Sequence, residues 1–170
     1  ETVALLIEKG ASVNAVTNDN KTPLHWASRF GNLETVELLI EKGASVNAVT
    51  TDNQTPLHWA SERGDLKKIA LLIEKGASVN AVTTNNQTPL HWASEHGDLE
   101  TVALLIEKGA SVNAVTNDNK TPLHWASRFG NLETVELLIE KGHLLTPLQL
   151  IIKLRYIGHL NVGIWKQSLY

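Results

Sequence analysis

Four histidines recur at a fixed spacing of 33 residues, and they are the first side chains in the sequence whose type could support chemistry. They are His25, His58, His91 and His124. Histidine is a common zinc ligand, and zinc holds each ligand nitrogen at about 2.0 to 2.1 Å. Equivalent positions on stacked helices lie about 8 to 10 Å apart, so these histidines cannot easily share one ion. We expect them to have a structural role and expect no metal site.

Each histidine lies in the same motif, Thr-Pro-Leu-His-Trp-Ala-Ser, whose final serine is the second candidate for chemistry. The serines are Ser28, Ser61, Ser94 and Ser127. A nucleophilic serine needs its own base and orienting group, but this serine recurs in every copy of the motif without a unique partner. The chain also lacks a Gly-rich phosphate loop and a metal-binding signature. We therefore expect no catalytic residue, no cofactor and no small-molecule substrate, and predict that the chain is not an enzyme.

The composition argues against several classes of partner. The formal net charge of -3 gives no electrostatic reason to expect nucleic acid as a partner. The absence of cysteine excludes disulfides and thiolate metal sites. No apolar run reaches the roughly 18 to 20 residues of a membrane span, so membrane insertion is not expected. We expect a cytoplasmic location, or delivery to a host cytosol if the chain is an effector.

The repeated motif is predicted to begin a short helix. Thr22 is a suitable N-cap, and Pro23 fits the first helical position, where its missing N–H has no partner to lose. This helix should end at Gly31, and Asn32 can then cap a second helix. In the other copies the equivalent of Asn32 is Asp65, Asp98 or Asn131.

The second helix is predicted from its apolar face and from the glycine that ends it. The apolar positions of the first complete copy are Leu33, Val36, Leu39 and Ile40. A left-handed glycine is expected after each of these helices, at Gly10, Gly43, Gly76, Gly109 and Gly142. The tryptophans of the motif are expected to pack in or beside the core rather than to form a ligand site. They are Trp26, Trp59, Trp92 and Trp125.

An asparagine precedes each motif by two residues, where the pattern predicts a tight turn. These residues are Asn20, Asn53, Asn86 and Asn119. Asparagine tolerates a positive φ better than most residues, which suits a turn tip. The same asparagines also form Asn-x-Thr triplets, which are glycosylation acceptors in secreted proteins. We favour the turn interpretation because no secretory signal is visible.

A period of 33 residues around a Thr-Pro-Leu-His-x-Ala core resembles the ankyrin-repeat family. The resemblance covers residues 1–142 and implies an all-α solenoid of stacked helix-turn-helix pairs with projecting β-turn or hairpin loops. It implies that each histidine binds its own turn and the next repeat. It also implies that the turn tips and first-helix ends line a concave face that binds partners. In this family a glycine usually stands where this chain has Asn20 and its equivalents.

The resemblance and the period together predict the following organisation. Residues 1–17 are the second helix and loop of a truncated repeat, 18–50, 51–83, 84–116 and 117–142 are ankyrin repeats, and 143–170 are a divergent tail. Glu1–Gly43 and Glu100–Gly142 are identical in sequence, which indicates recent duplication of a three-repeat block. Because the pattern begins inside a helix at Glu1, we expect the chain to be the C-terminal part of a longer product.

Residues 143–170 lose the period, and we predict that they are a repeat translated in the wrong reading frame. With permitted codons, one G added after a GGG codon for Gly142 yields the sequence ASVNAVTTDNKTPLHWASERGDLETVAL. Every recovered letter occurs at the matching place of an earlier copy. The alternative is a shortened capping repeat, since Thr146-Pro147-Leu148 could begin a helix.

The residues that differ between copies are the candidates for binding a partner, and we call them the variable positions. At the turns they are Asn18, Asp19, Lys21, Thr51, Asp52, Gln54, Thr84, Asn85, Gln87, Asn117, Asp118 and Lys120. At the ends of the first helices they are Arg29, Phe30, Glu62, Arg63, Glu95, His96, Arg128 and Phe129. Phe30 and Phe129 are the sharpest candidates, because an aromatic residue beside arginine is typical of binding hot spots. Partial burial after simple divergence is the competing explanation.

The favoured function is a scaffold that binds a protein partner. The alternative is that the repeats are the targeting arm of a larger enzyme or effector whose catalytic domain lies N-terminal to Glu1. A purely mechanical spacer is a third hypothesis, and it predicts no partner at all.

Overall fold

The structure is a computed structural model that describes residues 2–142, and in this range it contains α-helices and no β-strand. The helices are α1 Thr2–Glu8, α2 Pro23–Phe30, α3 Leu33–Glu41, α4 Pro56–Arg63, α5 Leu66–Glu74, α6 Pro89–His96, α7 Leu99–Glu107, α8 Pro122–Phe129 and α9 Leu132–Gly142. From α2 onward the helices form four pairs, each made of a short first helix and a second helix. The predicted frameshifted tail and its capping alternative lie outside the described residues.

The first helices and the second helices α3, α5 and α7 begin at the predicted caps. Thr22 has an extended backbone and Pro23 occupies the first helical position, and the other first helices begin in the same way. Before α3, the side chain of Asn32 accepts a hydrogen bond from the Thr35 N–H at 2.9 Å. Asp65 and Asp98 cap α5 and α7 in the same manner. Before α9, the amide of Asn131 donates to the carbonyls of Ser94 and Glu95 in the preceding pair.

The pairs stack so that first helices pack on first helices and second helices on second helices. The core runs through the whole stack without interruption. Leu24, Leu57 and Leu90 of the first helices are fully buried, as are Val36 and Ile69 of the second helices. Each of these side chains is covered partly by a neighbouring pair, because one pair is too thin to enclose a core of its own.

The predicted left-handed glycines end four of the second helices. Gly10, Gly43, Gly76 and Gly109 have φ angles between 88° and 93°. After α3, the N–H groups of Gly43 and Ala44 donate to Ile40 and Leu39, which closes the helix. The prediction is wrong at Gly142, because α9 runs through this residue. After the other glycines an alanine N–H completes the closing pair of hydrogen bonds, whereas the sequence after Gly142 continues with His143.

The arms between pairs carry a regular set of side-chain bridges. The Asn14 amide donates to the Gly43 carbonyl and accepts from the Ser45 N–H, both at 2.9 Å. Asn47 and Asn80 repeat these bonds one pair further along. At the tips of the arms, Asn20, Asn53, Asn86 and Asn119 have φ angles of 56° to 60°, which confirms the predicted turns. Each arm is therefore fixed to the next one by invariant residues.

One contact between pairs has no counterpart among the other pairs that the structure describes. Lys68 is 3% exposed and takes the place that threonine has in the other second helices, at Thr35, Thr101 and Thr134. Its ammonium group donates to the Gly31 carbonyl at 3.0 Å and lies 3.2 Å from an Asp65 carboxylate oxygen. Gly31 has φ -79°, whereas Gly64, Gly97 and Gly130 are left-handed. Lys68 thus donates a hydrogen bond to the residue that ends α2. Of the four described first helices, α2 is the one that ends at a glycine without a left-handed backbone.

We expect Lys68→Met to lower the free energy of unfolding by about 1 to 3 kcal/mol, because the Gly31 carbonyl loses a charged, buried donor. Urea unfolding followed by circular dichroism measures this change. Lys67→Met is the matched control, since Lys67 is exposed on the same helix. Equal effects of the two substitutions would contradict the assigned contact.

Candidate functional site

The repeated histidines are held at both ring nitrogens. His25 Nδ1 accepts the Thr22 N–H at 3.1 Å, and its Nε2 donates to the Gln54 carbonyl of the next pair at 3.0 Å. His58 and His91 make the same contacts with their own turns and with the following pair. His124 is bonded to Thr121 in its own turn. The predicted structural role is therefore confirmed for His25, His58 and His91.

This environment keeps the buried histidines neutral. Burial lowers the pKa of His58 to about 4, and it also lowers the pKa of His25 and His91. Because Nδ1 accepts a backbone N–H, the proton of each neutral ring lies on Nε2. Neither nitrogen is then available to a metal ion or a substrate. Within residues 2–142 there is no group of three histidine, aspartate or glutamate side chains that could hold a metal ion.

Three of the four repeated serines are fully buried, and the fourth, Ser127, is half-buried. Ser28, Ser61 and Ser94 are 0% exposed, and their hydroxyl groups have no hydrogen-bond partner among the described residues. A hydroxyl group in this position reaches neither a base nor solvent. These serines therefore fill space in the first helices.

The tryptophans differ in exposure although their positions are equivalent. Trp59 is 3% exposed, Trp92 and Trp125 are half-buried, and Trp26 is 46% exposed. The expected packing role thus holds for Trp59, and Trp26 is more open than expected. Trp26 lies on the first helix of the first described pair, so its ring meets Trp59 on one side only, at 5.7 Å. The indole N–H of Trp59 donates to the Gln54 side chain at 2.8 Å.

The variable turn positions lie at the surface and carry local ion pairs. Asp19 pairs with Lys21, and Asp118 pairs with Lys120, each at 2.6 Å. The hydrogen bond from Lys120 is the main reason that the pKa of Asp118 falls to about 2. Each lysine also lies over the tryptophan ring of its own motif at 5.8 Å. The two identical segments therefore build the same turn at two places in the stack.

The variable helix ends come together between the first two pairs. The Arg29 guanidinium binds Glu62 at 2.7 Å and lies over the rings of Phe30 and Trp59, at 5.2 and 5.5 Å. Phe30 is 64% exposed and stacks on Trp26 at 5.9 Å. We call Trp26, Arg29, Phe30, Trp59 and Glu62 the aromatic–arginine cluster. At the other end of the stack, Arg128 lies over Phe129, which is 49% exposed.

None of the variable positions is buried, and neighbouring turns are linked. The Asn86 amide donates to the Asn117 side chain at 2.8 Å, and Asn117 donates to the Thr84 carbonyl at 3.1 Å. Arg63 and His96 are exposed, whereas Gln54, Gln87, Glu62 and Glu95 are half-buried. The turn residues of successive pairs therefore form one connected row of polar groups.

The arms also carry a column of exposed apolar residues, which is not among the variable positions. Val16, Val49, Val82 and Val115 are 45% to 60% exposed. The next residue in the later arms is a buried threonine, namely Thr50, Thr83 or Thr116. An extended arm turns alternate side chains to opposite sides, so the valines face outward beside the turns. These valines are the same in every arm, and the sequence signal for them was a valine immediately before a threonine in each arm.

The comparisons with known proteins agree with this architecture. A family profile described as ankyrin repeats (3 copies) matches residues 1–83 and again residues 63–147. Among curated proteins, no match to the chain was found. No helix of the described part is long and apolar enough to cross a membrane. The two matched ranges together span most of the chain, and the chain therefore belongs to the ankyrin-repeat family.

Proposed function

We propose that the chain binds a protein partner through the concave face that the turn tips and first-helix ends would line. Ankyrin repeats are in general protein–protein interaction modules. The observation that carries the proposal is the exposure of Phe30 and Phe129 at 64% and 49%. Large aromatic side chains that are exposed to water do not contribute to the hydrophobic core. An exposed aromatic residue beside an arginine is typical of binding hot spots.

The surroundings of Phe30 support this proposal. The aromatic–arginine cluster already has its charges compensated, because Arg29 is paired with Glu62. A partner that covers Phe30 and Trp26 therefore removes apolar surface from water without burying an unpaired charge. The valine column on the arms adds further apolar surface beside the polar turns. This mixture of apolar anchors and polar rim is typical of specific interfaces.

We expect Phe30→Ala and Phe129→Ala each to weaken partner binding by about 1 to 2 kcal/mol, because each removes an exposed anchor. The full chain is used as bait in a pull-down, and the captured protein is identified by mass spectrometry. Calorimetric titration of that purified protein then gives the affinity of each variant.

The controls lie on the second helices. Leu99→Ala removes a side chain that is 40% exposed, and Glu41→Ala and Glu140→Ala change charged groups near helix ends. These variants should bind nearly as well as the parent chain. If they weaken binding more than the phenylalanine variants do, the partner binds elsewhere and the proposal fails.

A further inference from the structure

The valine column on the arms keeps apolar side chains in water at one fixed position of the repeat. Its members, which are 45% to 60% exposed, are Val16, Val49, Val82 and Val115. Every other valine within residues 2–142 is buried or half-buried. The fold therefore covers valine elsewhere and leaves it open on the arms, where a ligand can cover it and remove apolar surface from water.

A side chain able to donate a hydrogen bond follows each of these valines by two residues. Alternate residues of an extended chain point to the same side, and the threonine between them is buried in the later arms. Asn18, Thr51 and Thr84 are exposed, and their side chains form no hydrogen bond with a described residue. In the fourth arm, Asn117 donates to the Thr84 carbonyl. Each arm therefore presents an apolar group with an uncharged donor beside it.

Hydrogen bonds between neighbouring turns fix the spacing of the column. The Thr51 N–H donates to the Asp19 carbonyl at 3.1 Å, and the Thr84 N–H donates to the Asp52 carbonyl at 3.0 Å. Each arm belongs to one helix pair, and packed helices lie about 8 to 10 Å apart. A peptide that uses the whole column must therefore return an apolar group to the same side at about this distance.

The polyproline II conformation meets this requirement. It has about three residues per turn and rises about 3.1 Å per residue, so the same side returns after about 9.3 Å. A β-strand returns to the same side after about 6.6 or 13 Å, and an α-helix after about 5.4 or 10.8 Å. An α-helix also pairs its carbonyls internally, whereas the carbonyls of polyproline II are free to accept hydrogen bonds. The donors beside the valines suit the second case.

We propose that the valine column and the donors beside it bind a proline-rich segment of a protein partner in the polyproline II conformation, with three residues of the segment to each arm. Every third side chain contacts a valine, and the carbonyls between them accept hydrogen bonds from the donors. Such a segment is ordered before it binds, so little conformational entropy is lost. The inference rests on the proposed function, because it names the class of segment that a protein partner places on the arms.

Two peptides of identical composition test the spacing, with the full chain as receptor. One contains four consecutive Pro-Pro-Leu triplets, and the other has the same prolines and leucines with all leucines adjacent in the middle. Both carry a fluorescein label, and fluorescence anisotropy gives the dissociation constants. We expect the triplet peptide to bind about ten-fold more tightly, because only its leucines return to the same side at the spacing of the arms.

A double substitution, Val49→Thr with Val82→Thr, tests the column itself. Threonine has nearly the shape of valine and also favours an extended backbone. The urea midpoint should therefore stay the same, while the affinity for the triplet peptide falls about ten-fold as the apolar contacts are lost. Leu99→Ala is the control, because it removes an exposed apolar side chain from a second helix and should leave this affinity unchanged. Equal affinities of the two peptides, or an unchanged affinity in the double variant, would overturn the inference.

The outcomes also separate this inference from the proposed function. If the captured partner loses affinity with Phe30→Ala but the triplet peptide does not bind, the inference fails and the proposed function stands. If the triplet peptide binds through Val49 and Val82 while the captured partner is insensitive to Phe30→Ala and Phe129→Ala, the concave-face assignment fails and the inference stands.

Discussion

Lowering the pH from 7 to 4 should lower the free energy of unfolding of the protein, because the fold holds buried histidines neutral. The ordinary histidine pKa of 6.5 applies in the unfolded chain, whereas burial holds the pKa of His58 at about 4 in the fold. The unfolded state therefore binds more protons in this range, and stability falls as the pH falls. The stabilising contribution is complete above pH 6.5 and is lost progressively towards pH 4. For His58 alone the loss is about 3 kcal/mol, at 1.36 kcal/mol per pKa unit.

His25 and His91 add to this effect, because burial also lowers the pKa of each. The three rings lie in successive pairs, and a charge on one disfavours a charge on its neighbours, as His25 and His91 do for His58. The measurement is the free energy of unfolding in urea at pH values between 8 and 4. His96→Gln is the control, since His96 is an exposed histidine outside the repeated motif. If the free energy of unfolding does not change between pH 7 and pH 5, the fold does not hold the histidine rings neutral.

An isolated peptide of residues 18–50 should show almost no helix in water. Leu24 and Val36 are fully buried only because neighbouring pairs cover them. The peptide also lacks the Gln54 carbonyl that His25 binds and the Glu62 carboxylate that Arg29 binds. Helices of eight or nine residues are too short to persist without tertiary contacts. Circular dichroism at 222 nm measures the helix content.

The matched comparison is a fragment of residues 18–116, which contains three complete pairs and the inter-pair bonds of His25 and His58. This fragment should show helix and a cooperative urea transition, because neighbours stabilise each other in a linear stack. A helical, monomeric 18–50 peptide would refute the dependence on neighbours.

The elements of this fold could be predicted because each depends on local chemistry. Thr22 and Pro23 begin α2, Asn20 forms the turn before it, and Gly43 ends α3. These positions depend on backbone angles and caps, which the residue type largely determines. The helix end at Gly142 was mispredicted, because helix closure also needs the residues that follow the glycine.

The contacts between pairs were harder to predict. A lysine on an amphipathic helix normally faces solvent, and only the carbonyl of Gly31 explains the burial of Lys68. The column that contains Val16 does not vary between copies, so a criterion based on variation does not identify it. The sequence indicated that the candidate binding residues lie at the surface. It could not predict the ion pair between Arg29 and Glu62, because that pair depends on how adjacent first helices are aligned.

The asparagine bridges on the arms have a consequence for the gene. Asn14, Asn47 and Asn80 each bind the glycine and the serine of the following arm, so every junction between units is closed by the same residues. Recombination between misaligned copies of the DNA therefore joins units that already fit each other. Proteins encoded by genes that have gained or lost whole repeats therefore remain able to fold. In these proteins the surface formed by the exposed turn residues lengthens or shortens by one repeat at a time.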